Sequence, residues 1–374
     1  MNLVESDELR LLRDSALKFI ECEHDPVRGR AAGFSRDVWR QFAELGWLAL
    51  PFAEEQGGLG GGAREVGALN ETFGRALINA PYVAHVVLGA GVLAAGASSR
   101  FADTLSQTFE GKTLIALAHL ERAEEPWPVV PSTTAHRTAG GWRLSGSKRM
   151  VLGGGDADYF LISANLEGHA ADVGLFLAPR KHPGVIPTLY ELIDGSIVSD
   201  LSLSDATLSD GQMVCDGPVA SRALQSGFDA ALLVACATAV GAMRHLIETT
   251  TEYMKTRVQF GGPIADKQVI RHRLADMLIA CEEASSITLA GQLSASSGDL
   301  ERGRTASAAK VKVGQAARFV AEQAVQLHGA MGVTDELEVG AYFKRLLAFQ
   351  LSFGANDFHL RRHRALGVQK GRQS

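Results

Sequence analysis

A double change of hydrophobic period constrains this chain more than any other feature. From residue 112 to about 216 apolar residues come in short alternating runs broken by turn residues, such as Trp142-Arg143-Leu144-Ser145 and Tyr159-Phe160-Leu161-Ile162-Ser163. Gly140-Gly141 is placed for a hairpin between two such runs. On both sides the period is helical. Ahead of the strands lie Leu9, Leu12, Ala16, Phe19 and Ile20, then Val38, Phe42 and Leu45, then Leu69, Phe73 and Leu77. Behind them, residues 228–256, 267–296, 306–328 and 338–351 keep helical period in long stretches. Helices, strands and helices again make an α+β plan: a helical domain over 1–111, a β domain over 112–220 and a four-helix bundle over 221–374.

A chain of 374 residues, 46% hydrophobic and 21% charged, has enough apolar surface to close several cores. Its formal charge of -5 argues against nucleic acid, and the short basic run Arg361, Arg362, His363, Arg364 is not the stripe that phosphate binding requires. The four cysteines have no C-x-x-C pair and no disulfide-like spacing, which predicts a reduced, cytoplasmic setting. The first residues are acidic where a signal peptide is basic. Residues 82–97, the most apolar run, fall short of a membrane span and predict a buried helix, so no membrane partner is expected. The glycine cluster at residues 56–62 lacks the Lys-Ser or Lys-Thr of a phosphate loop and predicts a flexible turn.

Two segments carry a resemblance. Arg257-Val258-Gln259-Phe260-Gly261-Gly262-Pro263-Ile264, followed by Gln268, resembles the R-x-x-F-G-x-x-(I/L) segment of the acyl-CoA dehydrogenase family with its downstream Gln. Gln326-Leu327-His328-Gly329-Ala330-Met331-Gly332-Val333-Thr334 is similar to that family's Q-L-H-G-G-x-G-x-T turn, with Ala330 at the second Gly. Phe42-Ala43-Glu44-Leu45-Gly46, Gly146-Ser147-Lys148 and Phe228-Asp229 extend the match over essentially the whole chain. The resemblance implies a middle β-barrel or sandwich, FAD as cofactor and an acyl-CoA substrate. It also implies that Arg257, Phe260, Gln268, Gln326, Gly329 and Ala330 complete a flavin site across a subunit boundary, with Arg257 on the pyrophosphate. An arginine fork suits a diphosphate because its paired donors and charge never titrate away.

The same comparison exposes losses. The family's base is a carboxylate that takes the α-proton of the thioester, and only a proton acceptor within reach can serve. Phe353 stands in its place, and Ala231 stands at the alternative position early in the bundle. Asp357, one helical turn beyond Phe353, is the only nearby substitute. His119-Leu120-Glu121-Arg122-Ala123-Glu124-Glu125-Pro126 replaces the loop that holds the flavin ring, and Met150-Val151-Leu152 replaces a Trp-Ile-Thr whose Thr meets N5. A chain that keeps what it donates and loses what serves its own ring resembles the non-catalytic subunit of a heteromeric (α2β2) dehydrogenase. Such enzymes act on steroid side chains or dicarboxylic acyl chains joined to CoA and pass electrons to an electron-transfer flavoprotein or similar acceptor. The alternatives are a homo-oligomeric flavoenzyme with altered chemistry, desulfination or monooxygenation, and a non-catalytic protein that binds CoA thioesters.

Overall fold

The computed structural model describes residues 6–23, 34–96, 99–122, 127, 130–167, 172–334 and 336–373. Two compact units divide the chain. The bundle unit comprises Met1–Ala32, Ala63–Ile78 and Leu232–Ser374; the sheet unit comprises Gly33–Gly62 and Asn79–Ala231.

In the sheet unit, β2 (Thr134–Thr138), β3 (Gly141–Leu152), β4 (Tyr159–Leu166), β5 (Val173–Pro179), β6 (Val185–Glu191), β7 (Ile197–Leu208) and β8 (Met213–Asp216) lie in the order β6-β7-β3-β2-β4-β5-β8. The strand β1 (Ile115–Ala118) pairs in parallel with β4. The β2–β3 hairpin turns at Gly140-Gly141 as its sequence predicts, with Thr138 opposite Gly141. The core between the strands is made of the alternate residues that face inward, among them Leu144, Val151, Phe160, Ile162, Phe176 and Leu201. Helix α2 (Arg36–Glu44) is capped by Ser35, whose hydroxyl accepts from the Asp37 and Val38 amides. The ring that pairs with Phe42 in the core here is not Leu45, which is 43% exposed, but Trp39 and Trp47. The glycine cluster is a packed turn and not a flexible one. Its amides donate to the carbonyls of 49–53, at 3.0 Å from Gly58 to Ala53 and 2.7 Å from Gly60 to Phe52. A Cβ on Gly58 would lie 2.1 Å from the Phe52 oxygen, so the close approach of two backbone segments requires glycine.

In the bundle unit, α1 (Asp7–Glu23) buries Leu9, Ala16 and Phe19 along one face, and α3 (Ala63–Arg75) buries Leu69 and Phe73. In the sheet unit follow α4 (Gly91–Gly96) and α5 (Ala102–Phe109). The long helix α6 (Gly217–Thr256) is apolar enough to cross a membrane by length and composition, but 72% of its most apolar window is buried in protein. The bundle continues with α7 (Gln268–Leu293), α8 (Asp299–His328), α9 (Val339–Leu351) and α10 (Asn356–Gln373). The last helix is absent from the apolar periodicity because its inward residues are polar. Arg362 donates to Ser307 Oγ at 2.9 Å and His363 meets the Arg304 carbonyl at 3.0 Å.

Each unit buries a neutral histidine. His85 lies against the Ile115 carbonyl at 2.9 Å, and His359 against that of Phe353 at 2.9 Å. Burial pushes each imidazole down to about 4. Between pH 6.5 and 4 the unfolded chain takes up protons that the folded chain refuses, so the stability from these groups is complete above about 6.5 and lost as pH falls. Urea midpoints should therefore drop from pH 7 to 5, by about 2 kcal/mol for each histidine. His85→Asn should flatten its share of the profile; an unchanged slope would mean that other groups set it.

Candidate functional site

The residues with a predicted cofactor role gather at one end of the bundle unit. Arg257 follows α6 directly. Its guanidinium donates to the Tyr253 hydroxyl, lies over the Tyr253 ring at 5.5 Å, and reaches the His328 carbonyl at 3.5 Å. The Tyr253 and His328 rings stack with centroids 4.4 Å apart and an interplanar angle of 17°. Burial, and after it Arg257, keeps the His328 imidazole below its ordinary pKa, while its Nδ1 meets the Ala324 carbonyl at 2.9 Å. A neutral ring therefore braces a permanently charged fork, and the fork is held before any ligand arrives.

The turn that ends α8 supplies the second part. The Gly329 amide donates to the carbonyls of Gln326 and Val325, and Gly329 itself has φ 63° and ψ -139°, a conformation close to the one that glycine alone adopts readily. A Cβ there would meet nothing within 4 Å, so the missing side chain leaves an open cradle over backbone. Ala330 has no positive φ, which is why a methyl is accepted where the resembling turn has its second glycine. Gln326, Gly329 and Ala330 are all exposed.

Phe260 sits at the tip of the hairpin formed by β9 (Val258–Gln259) and β10 (Gly262–Pro263), with φ 54° and 86% of its surface exposed. The hairpin closes on Arg257 through the Ile264 amide, 2.9 Å from the Arg257 carbonyl. Gln268 is the exposed first residue of α7. An arginine fork, a glycine cradle, and exposed amide and aromatic side chains suit a dinucleotide held from outside this unit. Tyr253 and His328 had no place in the sequence reading. The i, i+4 spacing of Tyr253 and Arg257 was the available signal.

The ring side, in the sheet unit, has the opposite character. Lys148 is fully buried, and its Nζ donates to Glu121 at 2.7 Å, to Ser163 Oγ at 3.1 Å and to the His119 carbonyl at 3.4 Å. Glu121 also accepts from the Ser132 amide at 2.5 Å, the Ser132 hydroxyl and the Thr133 amide at 2.9 Å. Burial opposes ionisation of Glu121, yet Lys148 and these donors together hold it below the usual carboxylate range; burial pulls the Lys148 amine down. The polar groups here are spent on one another. Trp127 stacks on Phe228 at 4.2 Å and faces His119 at 4.4 Å. Residues 123–126 of the replaced loop lie outside the described residues. Leu152 ends β3 with an apolar side chain, and Met150 has φ 47°. Nothing among these described residues offers a donor to a flavin ring, so the ring half of FAD does not fit where the adenosine half finds a cradle.

The base positions are equally plain. Ala231 is fully buried in α6 and Phe353 is half-buried, its carbonyl held by His359 and its backbone left-handed at φ 58°. Asp357 is exposed in the first turn of α10, not in a loop, and there it favours the helix dipole.

Comparison with known proteins agrees with this arrangement. The family profile described as acyl-CoA dehydrogenase, C-terminal domain, matches residues 221–365, and the one for the N-terminal domain matches residues 6–111. Acyl-CoA dehydrogenase FadE27 of Mycobacterium tuberculosis is 28% identical over 347 residues, covering 88% of this chain and 87% of its own. Among solved structures, a chain of the ChsE4-ChsE5 complex from Mycobacterium tuberculosis superposes with a TM-score of 0.87 at 25% identity, covering 97% of both chains. A chain of a Tcur3481-Tcur3483 steroid ACAD variant gives 0.86 at 26% identity, covering 98% of this chain and 99% of that one.

Proposed function

Because the chain belongs to the acyl-CoA dehydrogenase family, whose cofactor is FAD, we propose that it is the subunit of a heteromeric dehydrogenase that lacks a catalytic base of its own and completes the flavin site of a catalytic partner. The observation that carries this reading is the contrast between the braced Arg257 and open Gly329 at one end of the bundle unit and the self-satisfied Lys148–Glu121 knot in the sheet unit. Bound flavin supplies the acceptor for the hydride that leaves the β-carbon of the thioester. Toward it, Arg257 contributes charge and two-point hydrogen bonding, Gly329 close backbone approach, and Gln268 and Gln326 amide groups for the adenosine half.

Proton removal from the α-carbon falls to the partner, since neither Phe353 nor Ala231 accepts a proton. The heteromeric ChsE4-ChsE5 relative and the steroid ACAD relative support a partner of the same fold and a substrate whose acyl group belongs to a steroid side chain. An electron-transfer flavoprotein or similar carrier is the acceptor that fits such a dehydrogenase.

Flavin counting tests the reading. The chain should purify nearly colourless alone, and with its partner should hold one FAD for each pair of unlike chains. A stoichiometric flavin spectrum from the isolated chain, or two FAD for each pair, would overturn it.

A further inference from the structure

Far along the bundle helices from Arg257, a separate cavity of about 210 Å³ opens inside the bundle unit, where α1, α3, α6 and α7 meet. Its wall is rich in donors: Arg13 from α1, Arg64 from α3, and Ser285 and Gln292 from α7, with Glu71 the one carboxylate that lines it. Glu71 is already shared, 3.6 Å from Arg13 and 3.1 Å from Arg244. Arg244, just behind the wall, also holds Glu282 at 2.7 Å and donates to Ser285 Oγ at 3.0 Å. Three guanidinium groups therefore stand against two carboxylates, and the excess around the space is positive. Gln292 has a built seat, because a Cβ on Gly67 would lie 2.0 Å from its Nε2, so the bare glycine lets the amide pack flat against α3.

A polar void of this size does not stay empty. At about 30 Å³ for each water it would hold roughly seven. It is below the range of about 300 Å³ and upward that takes drug-sized ligands, so a nucleotide or a CoA thioester is too large. We propose that it is a binding site for a small divalent oxyanion, of the size of inorganic phosphate or malonate, which ties α1 and α3 to α6 and α7. The guanidinium groups of Arg13 and Arg64 supply charge-assisted donors in the planar geometry that carboxylate and phosphate share, and Gln292 supplies a neutral one. Apolar residues on α6 form the floor, so the charges sit in a medium that screens them less than water does. This site is independent of the flavin contacts and stands or falls apart from the partner-subunit reading.

Calorimetric titration of the full-length chain with sodium malonate and with sodium phosphate, against sodium chloride of matched ionic strength, tests it. Saturable heat in the millimolar range or tighter is expected from at least one anion, with a matching rise in melting temperature. Malonate alone would identify a carboxylate site, phosphate alone a phosphate site, and either result supports the proposal. Arg64→Gln should weaken binding by about tenfold or more, the scale of one charged hydrogen bond. Gly67→Ala, which pushes Gln292 into the cavity, should abolish binding while the far-ultraviolet spectrum stays that of the wild type. Stabilisation that persists undiminished in both variants would be general salting by phosphate, and would overturn the site, as would no saturable heat from either anion.

Discussion

Arg257→Ala should cost the assembled enzyme its flavin before it costs the chain its fold. The side chain is half-buried, and its contacts within the chain are modest: one hydroxyl, one aromatic face and a carbonyl at 3.5 Å. Losing them loosens the turn at Gly329 without opening a core. Losing the fork toward a diphosphate removes a charge-assisted contact worth roughly 1.5–3 kcal/mol, or about a tenfold to hundredfold drop in affinity. Dialysis of the complex followed by an absorbance scan gives the measurement. Arg257→Lys separates charge from geometry: lysine keeps the positive charge but has no planar fork, so retention should fall between the two. If Arg257→Ala keeps its flavin as well as wild type, the cross-subunit role assigned to this residue is wrong. If it unfolds instead, the brace on His328 is worth more to the chain than these distances indicate.

Much of the fold was legible in the sequence, for reasons that also explain what was not. Period 2 and period 3.6 separate strands from helices wherever inward residues are apolar, and that condition holds for β4 and for α8. It fails for α10, whose inward face is His359, Arg362 and His363 and whose partners are hydroxyl and carbonyl groups on α8. It slips in α2, where Leu45 has the right spacing but lies past the last turn and Trp39 takes the core position. The motifs around Arg257 and Gly329 were readable because each depends on one residue type at one place. Their brace was not, because the Tyr253–His328 stack joins residues that only the fold brings together.

The pair of Glu121 and Lys148 lay in plain view and was still missed. Lys148 follows Leu144 by four in β3 and so faces inward on the strand's own alternation, which is a demand for a buried counter-charge. Only the tertiary structure tells that Glu121, from the segment after β1, answers it.

That pair gives the largest effect on stability. Lys148→Met removes one charge of a buried pair and leaves the Glu121 carboxylate with hydrogen-bond donors but no positive charge. Breaking a buried pair from one side costs about 3–5 kcal/mol, a large share of the roughly 5–15 kcal/mol that holds a domain together. The cost comes from the stranded charge and not from the loss of attraction, so it can be removed from the other side. Glu121→Gln added to Lys148→Met eliminates the charge while the amide oxygen still accepts from the Ser132 and Thr133 amides. The double variant should therefore recover most of the stability, read as the urea midpoint of the sheet unit's transition. It should also leave flavin binding by the complex unchanged, since these residues serve the closed interior of this chain and not the partner's cofactor. A single variant as stable as wild type would mean that water reaches the pair. A double variant no better than the single would place the cost in packing around the lysine stem. A double variant that gains a flavin of its own would mean that the ring side is shut by this pair alone, and that the chain stands one buried ion pair away from the site its relatives use.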